Sequence, residues 1–559
     1  MNKYLTLAAK SISKASGLTL SEVQKIIEIP PNSNLGDISF PCFSIAKRQK
    51  PGNVAYKIRE KLSVPRAFKK VEVMGPYLNF FLNEKILAEE IITSSMKKSF
   101  GKGSDNKKYV MDLFQANPFK IFHIGHLRNA VLGESLRRII EHTGGKTYSI
   151  SYVGDIGIHI AKWMWYFEKF YRGKIPKKDV SKWAGEIYVK AVTKINTNEE
   201  KFMIEVNKIN NLIDSRDSKI LKNWKKIRDA CFDDADRIAA ELGAKVNRRI
   251  PESEVEKLGR NKVLNLLKSG KVKKDQGAII LNLEKHNLGV LLLLKSDGTT
   301  LYSTKDIGLI LTKQKIGGDQ FIYVVGSEQE QYFKQLFKTF EILKISKEIK
   351  NKHVSYGLVS LKEGKMSSRS GNVITYEDLR DIMRKKAFAG VKKHNPKLSK
   401  IKLEDISTKI ATGAMIFGML KYSNIKSITF DLEGALRFEG ATGPYLQYSL
   451  VRSSRILEKA KRTSGKPDYG LFEEADMNLV RIIANFPAAV NKARSQYQPS
   501  IVANYGLELV KSFNRFYEQS QVLNAEPNVR RARLKLVKSF NETLKKVMYL
   551  LAIPEVEKM

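Results

Sequence analysis

The strand–helix–strand pattern in residues 109–153 constrains the fold of this chain more than any other feature. The apolar run Tyr109–Phe114 predicts a buried strand, and apolar residues then recur at helical spacing from Leu127 to His142. Gly144 and Gly145 end that helix, and the β-branched and aromatic run Thr147–Val153 predicts a second strand. This order predicts a right-handed parallel crossover, in which ligands bind at the carboxyl ends of the strands.

Two histidines stand at the start of the predicted helix. His123 and His126 are three residues apart in its first turn, so their side chains share one face. Free backbone N–H groups and the positive end of the helix dipole point the same way, and Gly125 leaves the backbone open to a ligand. One histidine here would more often be an incidental surface residue. The pair, between a strand and a helix, favours binding of an anion, and a polyphosphate fits best.

The sequence His123-Ile-Gly-His126 resembles the HIGH signature of class I aminoacyl-tRNA synthetases. The segment Lys365–Val373, Lys-Met-Ser-Ser-Arg-Ser-Gly-Asn-Val, resembles their second signature, the KMSKS loop, and the order and separation of the two fit the class. The resemblance implies an α/β protein with a Rossmann-like parallel-sheet catalytic domain. The residues that it implies for ATP binding are His123, Gly125, His126, Gly154, Asp155, Met366 and Ser367.

Further apolar runs predict more strands of the catalytic domain. Phe321–Val325 and His353–Val359 read as strands, and the Lys365 loop follows the second of them. Ala278–Leu281 and Val290–Leu294 also read as buried strands. We therefore expect both signature loops at one edge of one sheet, as a shared ATP site requires.

Segments at both ends of the chain resemble arginyl-tRNA synthetases in particular. Leu35–Phe40 and Gly75–Phe80 resemble the N-terminal add-on domain that contacts the tRNA elbow in that family. Leu436–Tyr448 resembles the start of its helical anticodon-binding domain, and Leu551–Met559 resembles its C-terminus. The domains implied are an α+β add-on domain over residues 1–100, a catalytic domain over 105–390 with a helical insertion at about 160–285, and an all-helical domain over 400–559.

The composition fits a protein that binds polyanions. The chain has 98 Lys and Arg against 58 Asp and Glu, a formal net charge of +40, spread along its whole length. Cys42 and Cys231 are far apart and offer neither a disulfide framework nor a zinc site, so we predict no protein-bound metal. No run approaches the roughly 20 apolar residues that a membrane helix needs. We expect a cytoplasmic protein without membrane association.

The resemblance implies a two-step reaction, amino-acid activation by ATP and transfer to tRNA, that rests on positioning and charge stabilisation. It assigns His123, His126 and Lys365 to the phosphates. The second lysine usual in the KMSKS loop is Ser368 here, and Ser370 replaces another frequent lysine. Many arginyl-tRNA synthetases without the loop lysine carry one at the position of Lys120, three residues before His123. We expect Lys120 to take over its catalytic role.

A guanidinium prefers carboxylates arranged to meet its fork of donors. The arginine-binding positions of the family correspond to Asp112, Asn117, Tyr302, Asp306 and Gln329 in this chain. Tyr302 and Asp306 are one helical turn apart, and Asp112 is shorter than the Glu that the family often has. Alone, either aspartate could be a strand-end or helix-end acid. Their joint placement beside the signatures favours substrate recognition.

The resemblance also implies the macromolecular partner. Tyr445, Tyr448, Arg452 and Met559 are the tRNA-binding candidates, although the spacing of Tyr445 and Tyr448 fits a helix core equally well. The expected partners are tRNA(Arg), L-arginine and ATP with Mg²⁺, and a monomer is the default expectation.

Two other functions remain open at this point. One is a class I synthetase for another amino acid, which the Tyr302 and Asp306 positions and the C-terminal resemblance oppose. The other is a non-catalytic RNA-binding paralogue that kept the fold. The intact His123, His126 and Lys365 oppose the paralogue, whereas Ser368, Ser370 and Ile156, which replaces a usual Trp, keep it open.

Overall fold

The fold is taken from a computed structural model of the chain, which describes residues 2–30, 32, 35–46, 48–171, 173–215, 217–345, 349–362, 374–460 and 465–559. The chain forms two compact units. The first comprises residues 1–101, 449–491 and 505–546, and the second comprises residues 102–448, 492–504 and 547–559. These units differ from three consecutive domains, because the C-terminal residues contribute to both. No helix in the described ranges is long and apolar enough to cross a membrane.

The N-terminal part of the first unit is a small α+β structure. Its elements are α1 (Asn2–Ser16), α2 (Leu20–Ile26), β1 (Ile38–Pro41), α3 (Pro51–Lys61), β2 (Phe68–Met74), β3 (Tyr77–Leu82) and α4 (Glu84–Ser95). The strands form an antiparallel sheet in the order β1-β3-β2. The capping box of Thr19 and Glu22 fixes the start of α2, since each side chain bonds the backbone N–H of the other.

The second unit contains the long α/β region. Its elements up to residue 361 are β4 (Lys108–Asp112), α5 (Ile124–His142), β5 (Lys146–Val153), α6 (Ile158–Phe170), α7 (Val180–Asn196), α8 (Glu199–Asp214), α9 (Ser218–Glu241), β6 (Arg248–Pro251), α10 (Glu252–Lys268), β7 (Lys273–Asp275), β8 (Ala278–Asn282), β9 (Val290–Leu294), α11 (Tyr302–Ile316), β10 (Gln320–Gly326), α12 (Glu330–Ile342), β11 (Lys350–Tyr356) and β12 (Val359–Leu361). Then follow α13 (Tyr376–His394), α14 (Lys400–Leu420), β13 (Ile428–Phe430) and α15 (Leu432–Ala435).

A five-stranded parallel sheet is the centre of the second unit. Its strand order is β11-β10-β4-β5-β6. Helix α5 contacts β4, β5 and β10, whereas α10, α11 and α12 share a hydrophobic core with Val110, Ile150 and Phe321 of the strands. Because helices cover the sheet, its strands are nearly continuous apolar runs. The predicted crossover from β4 through α5 to β5 is confirmed.

Three features around this sheet differ from the sequence interpretation. Strand β6 lies inside the range expected to be a helical insertion, yet it pairs with β5 and completes the central sheet. Strands β8 and β9 join β7 in a separate antiparallel sheet. Helices α6–α9 have their own core, which includes Ile156 and Trp163, so the insertion is a packed subdomain beside the sheet.

Helices α10 and α11 cross at two glycines. A Cβ on Gly259 would lie 2.0 Å from the carbonyl oxygen of Thr304, and one on Gly308 would lie 2.1 Å from that of Val255. The two backbones therefore touch, which no residue larger than glycine permits. The contact brings Lys305 to Glu252, with 2.6 Å between Nζ and Oε2.

The remaining residues form helices, as predicted for the C-terminal region. They are α16 (Gly443–Lys459), α17 (Glu474–Ala484), α18 (Phe486–Gln496), α19 (Ser500–Gln519) and α20 (Pro527–Leu550). Within the first unit, α17 contacts α4. Arg481 of α17 also pairs with Glu84 at 2.8 Å and with Asp37 at 3.3 Å. The N-terminal and C-terminal parts of this unit thus form a common structure.

Candidate active site

The loop from β4 to α5 holds two phenylalanines in the left-handed backbone region. The φ angles are 57° for Phe114 and 63° for Phe119, and the two residues are 0% and 1% exposed. This backbone costs an L-residue about 1–2 kcal/mol, which burial of the rings offsets. The Phe119 ring packs edge-on against Trp163 with 5.0 Å between centroids. The packing fixes the loop that carries Lys120 and His123.

The two signature histidines cap the helix that follows this loop. Nδ1 of His123 accepts a hydrogen bond from the N–H of Gly125 at 3.0 Å, and Nδ1 of His126 accepts one from the N–H of His123 at 3.2 Å. Their rings lie 3.8 Å apart between centroids. Since both Nδ1 atoms are acceptors, each neutral ring carries its proton on Nε2. Each ring can therefore donate that proton to a ligand.

Burial keeps these two imidazoles neutral. It lowers the pKa of His123 to about 4, with a further contribution from nearby Lys120. Burial also lowers the pKa of His126 well below its usual value, and His123 and Lys120 add to the effect. Lys120 has a pKa lowered by burial, which Glu252 opposes. At neutral pH the helix start thus offers two neutral donors beside a lysine.

Gly125 is required by its closeness to His123. A Cβ at this position would lie 2.8 Å from Cε1 of the His123 ring. A larger residue would push the imidazole away from its capping position. Gly125, which was predicted to leave room for a ligand, therefore also leaves room for the His123 ring.

A cavity of about 690 Å³ lies beside this helix start. That volume is typical of small-molecule sites. The predicted residues that line it are Asp112, Asn117, Lys120, His123, Gly125, His126, Gly154, Tyr302, Asp306 and Gln329. Apart from Asp155, the structure thus brings the ATP-binding and arginine-binding candidates that it describes around one cavity.

Two buried aspartates line the cavity. Asp306 accepts a hydrogen bond from the Tyr332 hydroxyl, and burial raises the pKa of Asp306 to about 7. Asp112 is 2% exposed, and its Oδ1 accepts a hydrogen bond from the N–H of Tyr152 at 3.2 Å. Burial raises the pKa of Asp112, against the attraction of Lys313. Buried carboxylates of this kind suit a cationic ligand.

The chain matches known proteins over its full length. The family described as tRNA synthetases class I (R), catalytic domain, matches residues 89–432, the DALR anticodon binding domain matches 446–559, and the arginyl tRNA synthetase N terminal domain matches 2–82. The arginine–tRNA ligase of Halothermothrix orenii is 34% identical over 555 residues, 97% of each chain. That of Clostridium botulinum is 32% identical over 565 residues, 100% of each chain.

The chain belongs to the arginyl-tRNA synthetase family. It is therefore an aminoacyl-tRNA synthetase, an enzyme class that uses ATP. The class expected from the two signatures and the arginyl family expected from the segments at both ends of the chain are confirmed. The arginyl-tRNA synthetase of Thermus thermophilus shares the fold, with a TM-score of 0.82 at 23% identity over 99% of this chain and 100% of that one. The α/β fold with its helical C-terminal region is likewise confirmed.

Other positions assigned by the family resemblance are not among the residues that line this cavity. Lys365, Met366 and Ser367 of the second signature fall outside the described residues, as do Ser368 and Ser370. Asp155, expected at the ATP site, is 0% exposed and does not line the cavity. Its carboxylate accepts hydrogen bonds from the N–H and the hydroxyl of Ser253, at 2.9 and 2.7 Å, so it holds the start of α10.

The tRNA-binding candidates are distributed over both compact units. Tyr445, Tyr448 and Met559 belong to the second unit and Arg452 to the first. Tyr445 and Tyr448 are half-buried in α16, and the Tyr448 ring is 6.4 Å from that of Phe438. Arg452 donates to Oδ1 of Asn514 at 3.0 Å. Because both tyrosines are partly buried, tRNA binding and core packing both remain open for them.

Sequence reasoning missed several residues around the cavity. Tyr152, His159, Glu252, Tyr323 and Tyr332 line it. Tyr332 follows Gln329 by three residues, so helical spacing could have found it. Nε2 of His159 is buried and has no hydrogen-bond partner among the residues that the structure describes. Nothing in the local sequence distinguishes Glu252 or Tyr323, which belong to α10 and β10, far along the chain from the signature histidines.

The arginyl-tRNA synthetase chain has no evident protein metal site in its described ranges. No group of three or more histidine, cysteine, aspartate or glutamate side chains there is arranged to hold an ion.

Proposed function

We propose that this chain is an arginine–tRNA ligase that activates L-arginine with ATP and transfers it to the terminal adenosine of tRNA(Arg). One observation carries the proposal: buried Asp112 and Asp306 line the same cavity as His123, His126 and Lys120. The carboxylates suit a guanidinium. The donors suit the phosphates of ATP. A cavity lined by both the carboxylates and the hydrogen-bond donors can hold arginine and ATP in contact.

In the first step an oxygen of the arginine carboxylate attacks the α-phosphorus of ATP. A bond forms between that oxygen and the phosphorus, the bond to the β-phosphate bridge breaks, and pyrophosphate leaves. The guanidinium lies between Asp112 and Asp306, with Tyr302 and Gln329 beside it. Catalysis rests on holding the two substrates in line and on stabilising the phosphate charge.

The residues that would bind the phosphates of ATP combine neutral and cationic donors. His123 and His126 donate from Nε2 to phosphate oxygens, and Gly125 and Gly154 leave room for the nucleotide. Lys120 supplies positive charge in place of the loop lysine that Ser368 replaces, and Lys365, Met366 and Ser367 complete the site. ATP enters with Mg²⁺ bound to its phosphates, as a substrate complex.

In the second step the ribose hydroxyl of the terminal adenosine attacks the arginyl carbonyl, and AMP leaves. Residues 400–559 read the anticodon through Tyr445, Tyr448, Arg452 and Met559, and residues 1–100 contact the tRNA elbow. The net charge of +40 favours this polyanionic partner and predicts salt-dependent binding. The catalytic work falls to residues 105–390, in a monomer in the cytoplasm.

The test is ATP–pyrophosphate exchange with each amino acid, with and without tRNA(Arg), together with charging of that tRNA. We expect exchange with arginine alone, dependent on tRNA. Exchange with a different amino acid would overturn the arginine pocket and keep the enzyme class. Binding of tRNA without exchange or charging would identify a non-catalytic RNA-binding protein.

A further inference from the structure

The ammonium of Lys313 lies beside Asp112, one of the carboxylates that line the cavity. Its side chain is 0% exposed, and its Nζ lies 3.9 Å from Oδ2 of Asp112. The same nitrogen lies 3.5 Å from the centroid of the Tyr323 ring. Asp112 and Tyr323 are register partners on β4 and β10. Lys313 therefore covers one pair of neighbouring residues in the central sheet and does not itself line the cavity.

Lys313 has no hydrogen-bond partner among the described residues. Its distance from Asp112 is too long for a hydrogen bond, and the Tyr323 ring offers a cation–π contact. A buried ammonium is costly unless negative charge compensates it. The compensating groups are Asp112 and Asp306, which precedes Lys313 by two turns of α11. The lysine thus contributes charge without occupying an oxygen that a substrate could bond.

The balance of charge gives Lys313 a role in substrate binding. Asp112 and Asp306 bring two negative charges into one buried region, and Lys313 brings one positive charge. The remaining single negative charge matches one guanidinium. We propose that Lys313 is a positioning residue that favours the ionised form of both aspartates before arginine enters and sets the pocket to accept one cation. This inference rests on the proposed function and adds to it a residue that acts through Asp112 and Asp306.

Titratable groups face this region from six elements. They are Asp112 on β4, Tyr152 on β5, Glu252 on α10, Asp306 on α11, Tyr323 on β10 and Tyr332 on α12. Burial raises the pKa of Asp306 to about 7, while the bond from Tyr332 and the charge of Lys313 oppose the rise. Burial lowers the pKa of Lys313 to about 8. Without this lysine, two buried carboxylates would share a proton at neutral pH.

The variant Lys313→Met tests the proposal, since it removes the charge and keeps the length of the side chain. The measurement is KM for arginine against pH, in exchange assays with tRNA(Arg) and saturating ATP. In the wild-type chain we expect this KM to fall as pH rises through about 7, because arginine binds the ionised aspartates. In the variant the fall moves up by about 1–3 pH units. KM at pH 7 then rises at least about fivefold, while kcat and KM for ATP stay unchanged.

Two variants serve as controls. Lys315→Met changes an exposed lysine of the same helix and should keep the wild-type profile. Lys313→Arg keeps the positive charge and should restore most of the arginine affinity. A purely structural role of Lys313 would instead raise KM for arginine and ATP alike, at every pH. If Lys313→Met does not fold, Lys313→Gln replaces it with the same expected shift.

The outcomes separate this inference from the proposed function. A wild-type profile in a folded, uncharged variant overturns the role of Lys313 alone. So does a wild-type KM for arginine that stays constant between about pH 6 and 8, because the aspartates would then not titrate in that range as the buried pair requires. A wild-type chain that does not exchange with arginine overturns the proposed function itself.

Discussion

A hydrogen bond between Asn117 and Gly154 links the loops that follow the neighbouring strands β4 and β5. Oδ1 of Asn117 accepts a hydrogen bond from the N–H of Gly154 at 2.7 Å. Because this bond uses the amide oxygen, the amide nitrogen is the atom left for a ligand. Asn117 could bind either the α-ammonium or the carboxylate of arginine, and a hydrogen-bond donor suits the carboxylate.

Asn117→Asp should therefore impair arginine activation. The carboxylate keeps the bond to Gly154 but replaces a donor with a negative charge that repels the arginine carboxylate. We expect kcat/KM for arginine to fall about 100-fold, measured by pyrophosphate exchange. Asn247 accepts the N–H of Ser149 at 2.8 Å away from the cavity, so Asn247→Asp is the matched control. Wild-type activity in Asn117→Asp would refute the assignment.

Lys120→Ala should slow adenylate formation and leave tRNA affinity nearly unchanged. The lysine lines the cavity beside His123, where it can stabilise charge on the phosphates. We expect the single-turnover rate of adenylation to fall about 100-fold. Lys146→Ala, at an exposed position at the start of β5, controls for the loss of one positive charge. An unimpaired adenylation rate in Lys120→Ala would remove Lys120 from the catalytic residues.

Tyr332→Phe should weaken arginine binding by removing one hydroxyl. That hydroxyl donates to Asp306 and favours its ionised form, so its loss raises the pKa of Asp306 further above about 7. We expect KM for arginine at pH 7 to rise about tenfold and to recover as the pH increases. Tyr148→Phe on β5 should behave as wild type. A pH-independent increase in Tyr332→Phe would point to a change of shape instead.

His159→Gln should make the second unit less sensitive to acid. Burial lowers the pKa of His159 to about 3. The unfolded chain therefore binds a proton that the folded chain does not, and stability is lost as pH falls below about 6.5. The glutamine variant should avoid up to about 2 kcal/mol of this loss at pH 5. Exposed His286→Gln is the control, and equal losses in both variants would contradict the expectation.

Arg128 anchors the chain segment that precedes the second signature. Its guanidinium is 1% exposed and donates to the carbonyl oxygens of Gly357 at 2.6 Å and Asn424 at 2.7 Å. Arg128→Met removes both charged donors, although the Asn424 oxygen keeps a bond from the N–H of Gly357 at 2.9 Å. We therefore expect the free energy of unfolding of the second unit to fall by about 3 kcal/mol.

Tryptophan fluorescence can measure that loss selectively. All four tryptophans, at positions 163, 165, 183 and 224, belong to the second unit. Urea unfolding followed by this signal reports that unit alone. Arg260→Lys, at an exposed arginine, should match wild type, and a similar result for Arg128→Met would show that the contact of Arg128 with these two carbonyl oxygens contributes little.

Local sequence patterns were enough to predict the crossover and to place two histidines at the start of its helix. Both predictions used short stretches of sequence. They rested on the apolar runs of β4 and β5 and on the spacing of His123 and His126. The positions of Asp112 and Asp306 followed from a family resemblance, and the structure places both on the cavity wall.

What escaped prediction depends on contacts between distant segments. Strand β6 is only four residues long, Arg248–Pro251, and is a strand because β5 pairs with it. Lys313 resembles any other lysine of a basic chain until β4 and β10 place Asp112 and Tyr323 against it. Tertiary packing decides such cases, and helical or strand spacing carries no signal for them.

The glycine crossing of α10 and α11 bears on how this enzyme could be redesigned. With Gly259 and Gly308 in backbone contact, α11 cannot move closer to α10, and both carry charged groups of the cavity wall. An engineer who wants a different amino acid accepted cannot adjust the depth of the pocket by sliding this helix. New specificity has to come from exchanging side chains on a fixed frame, and the charge of Lys313 would need to change together with that of the aspartates it faces.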